Sequence, residues 1–162
     1  MKLRHLFFAC SGVFVMMFSL LLLVVIVFSD EEDGGSGGNL IYGGVSVSQE
    51  VLAHKPMLEK YAREYGIEEY LNVLLAIIQV ESGGTLEDVM QSSESLGLPP
   101  NSLSTEESIK QGCKYFSELL AAAETKGCDL NSVIQSYNYG GGFLDYVAGR
   151  GKKYTFKPVS YT

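Results

Sequence analysis

The sequence predicts an all-α fold: an N-terminal membrane-spanning helix (residues 1–28 with its cytoplasmic tip), an acidic Gly/Ser-rich linker over 29–47, and a small helical domain over 48–162. Three observations predict it. Leu6 to Phe28 runs for 23 residues without a charge. Beyond Val45 the apolar residues recur at helical rather than alternating spacing. Capping residues and glycines punctuate that pattern, whereas strand patterns are nearly absent.

At about 1.5 Å per residue the first segment is long enough to cross a bilayer. Lys2 and Arg4 precede it and Asp30-Glu31-Glu32-Asp33 follows, which places the basic end in the cytoplasm and the rest of the chain outside the cell. A cleaved signal segment asks for a shorter apolar core and small residues at the cut, whereas Val24 to Phe28 is bulky throughout. An uncleaved single-pass anchor is therefore expected, with a secreted domain as the alternative if cleavage occurs. Ala9-Cys10 is a poor lipid acceptor, because the apolar stretch follows Cys10 instead of preceding it.

The net charge of −7 is unevenly spread: +2 before Leu6, −5 over Ser29 to Glu50, and −4 beyond. No basic footprint for nucleic acid is present. An acidic domain also gains no long-range attraction to an anionic polymer, so any grip on one must come from short-range contacts. Cys113 and Cys128 lie outside the apolar span and are expected as free thiols, the first a small core residue and the second in a loop. With His54 they assemble no metal-ligand pattern, and no metal or cofactor is expected.

Along the domain the elements follow in order. Asp33 to Asn39 is a flexible tether that Tyr42-Gly43-Gly44 extends. Ser48 caps a short helix containing Val51 and Leu52. Pro56 interrupts that helix or restarts the next, which carries Met57, Leu58, Tyr61 and Ala62 and stops at Gly66. A third helix runs from about Glu68 to Glu81. Ser82 to Thr105 is a loop rich in Ser, Gly and Pro, with a turn at Pro99-Pro100-Asn101-Ser102. Ser104 and Glu107 form a capping box for a helix whose Ile109, Cys113, Phe116 and Leu120 share a face, and Gly127 ends it. Leu130 to Tyr139 is a further helix, broken by Gly140-Gly141-Gly142 before Phe143 to Ala148.

Glu81 is the residue with chemistry. Ile78 and Leu74 lie three and seven residues before it, so its carboxyl shares a face with an apolar stripe. Burial disfavours the ionised form, and a carboxylic acid kept neutral near working pH is what glycosidic cleavage asks of its general acid. A Glu at a helix C-terminus also opposes the macrodipole, so the position carries a cost unless it is used. Gly83-Gly84, directly after it, would let a ligand approach closely.

Three blocks, Glu81-Ser82-Gly83-Gly84, Asp88-Val89-Met90-Gln91-Ser92-Ser93-Glu94-Ser95 and Gln135-Ser136-Tyr137-Asn138-Tyr139-Gly140, resemble the lysozyme-like, bacterial goose-type-like domain of CwlT-type cell-wall hydrolases. These are carried on conjugative elements of Gram-positive bacteria. The wider superfamily includes the lytic transglycosylases. The resemblance spans about Val45 to Tyr154. It implies a helical lysozyme fold and cleavage of the β-1,4 bond between N-acetylmuramic acid and N-acetylglucosamine in peptidoglycan. It further implies Glu81 as the catalytic acid, Met90 and Gln91 lining the glycan groove, and Tyr137 and Asn138 at a helix start facing the sugar beside the scissile bond. Members commonly carry a second, papain-like peptidase domain, and helix usually continues where Thr155 to Thr162 shows no period.

Around these positions Ser82, Ser92, Ser93 and Glu94 are expected to bind substrate, and Tyr139 to offer a ring to a sugar face. Glu87 and Asp88 are expected in a solvated turn or a cap. A second carboxylate for activating water is not fixed by the sequence: Glu94, Asp88, Glu87 and Asp145 are the candidates. Hydrolysis, transglycosylation by the muramic acid's own 6-hydroxyl, and a non-catalytic wall-binding module all remain open at this level. The expected partners are peptidoglycan strands, the membrane and a conjugation or secretion machine.

Overall fold

The computed structural model describes residues 40–42 and 45–154. The expected anchor, most of the tether and the last eight residues lie outside them. Among the described residues no helix is long and apolar enough to cross a membrane.

The first described element departs from the expected linker. Strands β1 (Leu40–Tyr42) and β2 (Val45–Val47) pair antiparallel, with Leu40 opposite Val47 and Tyr42 opposite Val45. The reason is legible afterwards: a Leu-Ile-Tyr and a Val-Ser-Val run flank a Gly-Gly pair, which is hairpin chemistry. The domain is thus mostly helical rather than purely so.

Helices then follow closely: α1 (Gln49–Ala53), α2 (Lys55–Glu64), a 3-10 turn (Glu68–Tyr70), and α3 (Leu71–Glu81). The Ser48 hydroxyl accepts from the Val51 amide at 3.3 Å as the α1 cap. Pro56 sits in the first turn of α2, where its missing N–H is harmless. Gly66 closes α2 with a φ of +68°. Helix α3 is the hub: β2, α1, α2 and the 3-10 turn all pack on it. Val73, Leu74, Leu75, Ala76, Ile77 and Ile78 are all buried, so α3 is apolar all round rather than on one stripe.

A second 3-10 turn (Ser92–Leu96) interrupts the loop before the long α4 (Thr105–Lys126). The capping box forms, with the Glu107 carboxylate accepting from the Ser104 amide at 3.0 Å and its hydroxyl at 2.6 Å. Ile109, Cys113 and Phe116 are fully buried, and Phe116 meets the Tyr70 ring edge-on at 5.8 Å.

The chain divides into two compact units, 1–117 and 118–162. The second holds the end of α4, α5 (Leu130–Tyr139) and α6 (Gly142–Ala148), with α5 and α6 packed on each other. Its core is Leu119, Ala123, Val133, Ile134, Leu144 and Val147. Leu119 takes the buried place expected of Leu120, which is partly exposed. Asp129 caps α5 by accepting from the Ser132 amide at 3.0 Å. Both cysteines are free, Cys113 buried and Cys128 half-buried.

Candidate active site

Glu81 is the last residue of α3, half-buried behind the all-apolar body of that helix. Burial, and then the charges of Glu94 and Asp88, push its carboxyl up from 4.5 to about 7. Each cause acts in the same direction: low polarisability disfavours the anion, and two neighbouring carboxylates repel it.

The loop after Glu81 is shaped by glycines and one hydroxyl. Ser82 donates to the Val89 carbonyl at 2.7 Å and accepts from the Gly84 amide at 3.0 Å, so its hydroxyl ties the loop together instead of facing a ligand. Gly83 and Gly84 adopt φ of +62° and +77°. At Gly84 a Cβ would lie 2.7 Å from the Glu50 carbonyl carbon and the Val51 amide nitrogen. The close approach that Gly84 permits is therefore that of α1, not of a ligand. His54 hydrogen-bonds the Gly84 carbonyl through Nε2 at 2.9 Å. Gln79 accepts from the Ser48 amide at 2.7 Å, pinning the same helix end to the start of α1.

Asp88 was expected in a solvated turn or a cap; it is a cap, and fully buried. Its Oδ1 accepts from the Ser92 amide at 2.9 Å and the Ser108 hydroxyl at 2.5 Å, and its Oδ2 accepts from the Ser93 amide at 3.2 Å. Ser108, on the first turns of α4, also accepts from the Met90 amide at 3.0 Å. A buried carboxylate satisfied by three donors is a rigid joint, and this one fixes the loop carrying Met90 to Glu94 against α4.

That joint corrects three expectations. Met90, Ser92 and Ser93 are 0%, 2% and 0% exposed, so their side chains are turned into the protein and not toward a glycan. Ser92 donates to the Ser108 carbonyl at 2.9 Å, while the Ser93 hydroxyl is buried without a hydrogen-bond partner. Gln91 and Glu94 remain at the surface of the loop. Gln91 holds a left-handed φ of 47°, its Nε2 donating to the Asp88 carbonyl and to Asn101, each at 2.8 Å. Such a backbone in a non-glycine residue is strain held by its surroundings. Glu94 is exposed on the 3-10 turn.

The first unit thus gathers Glu81, Ser82 and the Met90–Glu94 loop. The remaining candidates belong to the second unit, at the end of α5 rather than at a helix start. Tyr137 is buried, Asn138 half-buried and Tyr139 45% exposed. Sequence reasoning missed Ser108 and the scale of Asp88's role. A small polar residue one step before the apolar stripe at Ile109 was the available signal for Ser108, and Asp88's reach across 20 residues left none.

A mostly helical domain whose central apolar helix ends in a half-buried carboxylic acid, its pKa raised by burial and two carboxylates, is the class that the fold and site define. The chain belongs to the lysozyme-like family, whose model matches residues 48–161. It is 44% identical over 117 residues to the bifunctional muramidase/DL-endopeptidase CwlT of Bacillus subtilis, covering 72% of this chain and 35% of that protein. It is 39% identical over 110 residues to the uncharacterized membrane protein YocA of the same organism, covering 67% of this chain and 49% of YocA. It is 33% identical over 108 residues to pneumococcal vaccine antigen A of Streptococcus pneumoniae, covering 66% and 53%. The chain therefore spans roughly a third to a half of these relatives. Among solved structures, a lipoprotein-like NLP/P60-family protein of Staphylococcus aureus superposes with a TM-score of 0.67 at 77% identity, covering 67% of this chain and 37% of that one.

Proposed function

We propose that the chain is a peptidoglycan hydrolase of the N-acetylmuramidase type, with Glu81 as general acid. The observation that carries this reading is the Glu81 carboxyl raised to about 7, with burial the first cause and two carboxylates the others. Neutral Glu81 donates its proton to the glycosidic oxygen as the bond to the muramic acid C1 breaks. The electron pair leaves with that oxygen, which departs as the 4-hydroxyl of N-acetylglucosamine. The oxocarbenium-like C1 then takes a water, which surrenders a proton and leaves a reducing muramic acid. The ionised Glu81 and the nearby negative charges favour that cationic stage.

Asp88 is ill suited to activate the water, since three protein donors already occupy it. Glu94, exposed and close enough to repel the Glu81 anion, is the better placed base. That occupied Asp88 also favours a second reading, lytic transglycosylation, in which the muramic acid's own 6-hydroxyl attacks C1 and no second carboxylate is needed. A wall-binding module without turnover is the remaining alternative. In the wider role, Leu6 to Phe28 anchors the domain outside the membrane, and the acidic linker lets it open the wall locally for conjugation or remodelling.

Mass spectrometry of the products released from purified peptidoglycan, with Glu81→Gln alongside, tests all of this. Reducing muramic ends that disappear in the variant support the muramidase. Anhydromuramic ends would make the protein a transglycosylase, and no products from folded protein would remove the enzyme reading.

A further inference from the structure

The second unit carries an aromatic row that acid catalysis leaves unused. Phe143 stacks between Tyr139, at 5.2 Å between centroids and 27° between planes, and Tyr146, at 5.9 Å and 20°. Arg150 closes the row: its guanidinium carbon lies 3.8 Å from the centre of the Tyr146 ring, and its Nη1 donates to the Tyr146 carbonyl at 3.4 Å. The spacing along α6 explains the arrangement. Leu144 and Val147 turn inward to the core, which leaves Phe143, Tyr146 and Arg150 on a neighbouring, outward strip. Tyr139 and Tyr146 are 45% and 54% exposed, although neither ring is needed to fill the core. Contiguous aromatic surface left in water on a small domain marks a contact site.

We infer that the Tyr139–Phe143–Tyr146 row, with Arg150 at its end, is a second contact surface for peptidoglycan. The exposed flanks of its tyrosine rings would take the C–H groups of pyranoses, and the guanidinium a carboxylate of the peptide stem. This inference rests on peptidoglycan being the substrate, and goes beyond it in naming a site on residues outside the acid and its loop. Charge complementarity supports the occupant: in a chain of net charge −7, Arg150, Lys152 and Lys153 fall within four residues and are all exposed. The acidic residue on that helix, Asp145, is already paired with Lys126. Peptidoglycan combines sugar faces with stem carboxylates, which is the combination the row offers. Arg150, held over the Tyr146 ring, forms such a pair with little further loss of freedom. The row also continues directly from Asn138 and Tyr139 of the third sequence block. A lipid surface attracts aromatics and cations too, but rings that enter a bilayer interface present free tips, whereas these lie against one another.

The test is co-sedimentation of the full chain, in detergent, with purified cell-wall sacculi, using Glu81→Gln as the parent so that binding is read without cutting. Tyr146→Ala should raise the half-saturating sacculus concentration about 3- to 10-fold, the worth of one aromatic contact. Tyr146→Phe should stay within about 2-fold of the parent. Arg150→Gln should weaken binding and flatten its salt dependence. Parent-like binding by both Tyr146→Ala and Arg150→Gln overturns the inference and leaves the membrane surface as the row's other reading. Tyr146→Leu binding as well as Tyr146→Phe also overturns it, because greasiness rather than a ring would then suffice. The catalytic reading falls separately: wild-type protein that releases no products while the row variants lose sacculus binding would remove the muramidase and keep the surface.

Discussion

Replacing Glu81 by Gln is expected to abolish cleavage and, from the same cause, to stabilise the domain at alkaline pH. Burial first, and Glu94 and Asp88 after it, raise the carboxyl from 4.5 to about 7. At about 1.4 kcal/mol per tenfold change in proton affinity, that difference is worth about 3 kcal/mol. The folded protein holds the proton more tightly than the unfolded chain. The stability this contributes is fully present below 4.5 and lost as pH rises through about 7. Gln keeps the shape without the charge. The variant should therefore match its parent near about pH 4 and exceed it by up to about 3 kcal/mol near about pH 8. Urea denaturation followed by circular dichroism reads this directly. With a slope of about 2 kcal/mol per molar, the midpoint should rise by about 1.5 M at the alkaline pH and barely move at the acid one. Coincident curves at both pH values would refute the account of Glu81 as a strained buried acid, whatever happened to activity. A lower midpoint for the variant at alkaline pH would show that the carboxylate is held by favourable contacts instead.

Glu94→Gln removes the proposed base and, with it, a like charge near Glu81, so cleavage should fall sharply and the alkaline limb of the residual activity–pH profile should move to lower pH, while stability changes by less than about 0.5 kcal/mol. Asp88→Asn should move that limb in the same direction but also lower stability by about 2–4 kcal/mol, because the buried joint to Ser92, Ser93 and Ser108 is broken; thermal melting separates it from Glu94→Gln. Gly84→Ala combines a φ of +77° with a Cβ set 2.7 Å from the α1 backbone and should cost more than about 2 kcal/mol, whereas Gly83→Ala, with nothing nearer than Gln79 Nε2 at 3.9 Å, should cost about 1 kcal/mol, measured by the same melts.

How much of this was legible in the chain follows the range of the interactions. Helix bounds set by local chemistry were readable: the Ser48 cap, the Ser104–Glu107 box, Pro56 in a first turn, and the glycine ends at 66 and 127 all act within a few residues. The hairpin was missed because the Gly43-Gly44 pair reads as tether when the glycine-rich stretch before it is taken in the same breath. The raised pKa of Glu81 was foreseeable from the apolar helix behind it, but not the two carboxylates that reinforce it, which come from 7 and 13 residues further on. The loop was the hardest case. Ser92 and Ser93 look like a polar lining in sequence and are packed inward, because their amides converge on the Asp88 carboxylate, whose other donor, the Ser108 hydroxyl on α4, accepts from the amide of the buried Met90.

These three carboxylates form a graded set, and the grading is what makes the site intelligible. Asp88 is the most buried and remains tolerable because three donors surround it. Glu94 has water. Glu81 has neither a full set of donors nor full solvent, and proton uptake relieves the conflict. The Ser108 hydroxyl and the Ser92 and Ser93 amides thus do more than shape a loop. They hold the Asp88 carboxylate in place where its charge, with that of Glu94, raises the pKa of Glu81, which is what the acid role proposed for Glu81 requires.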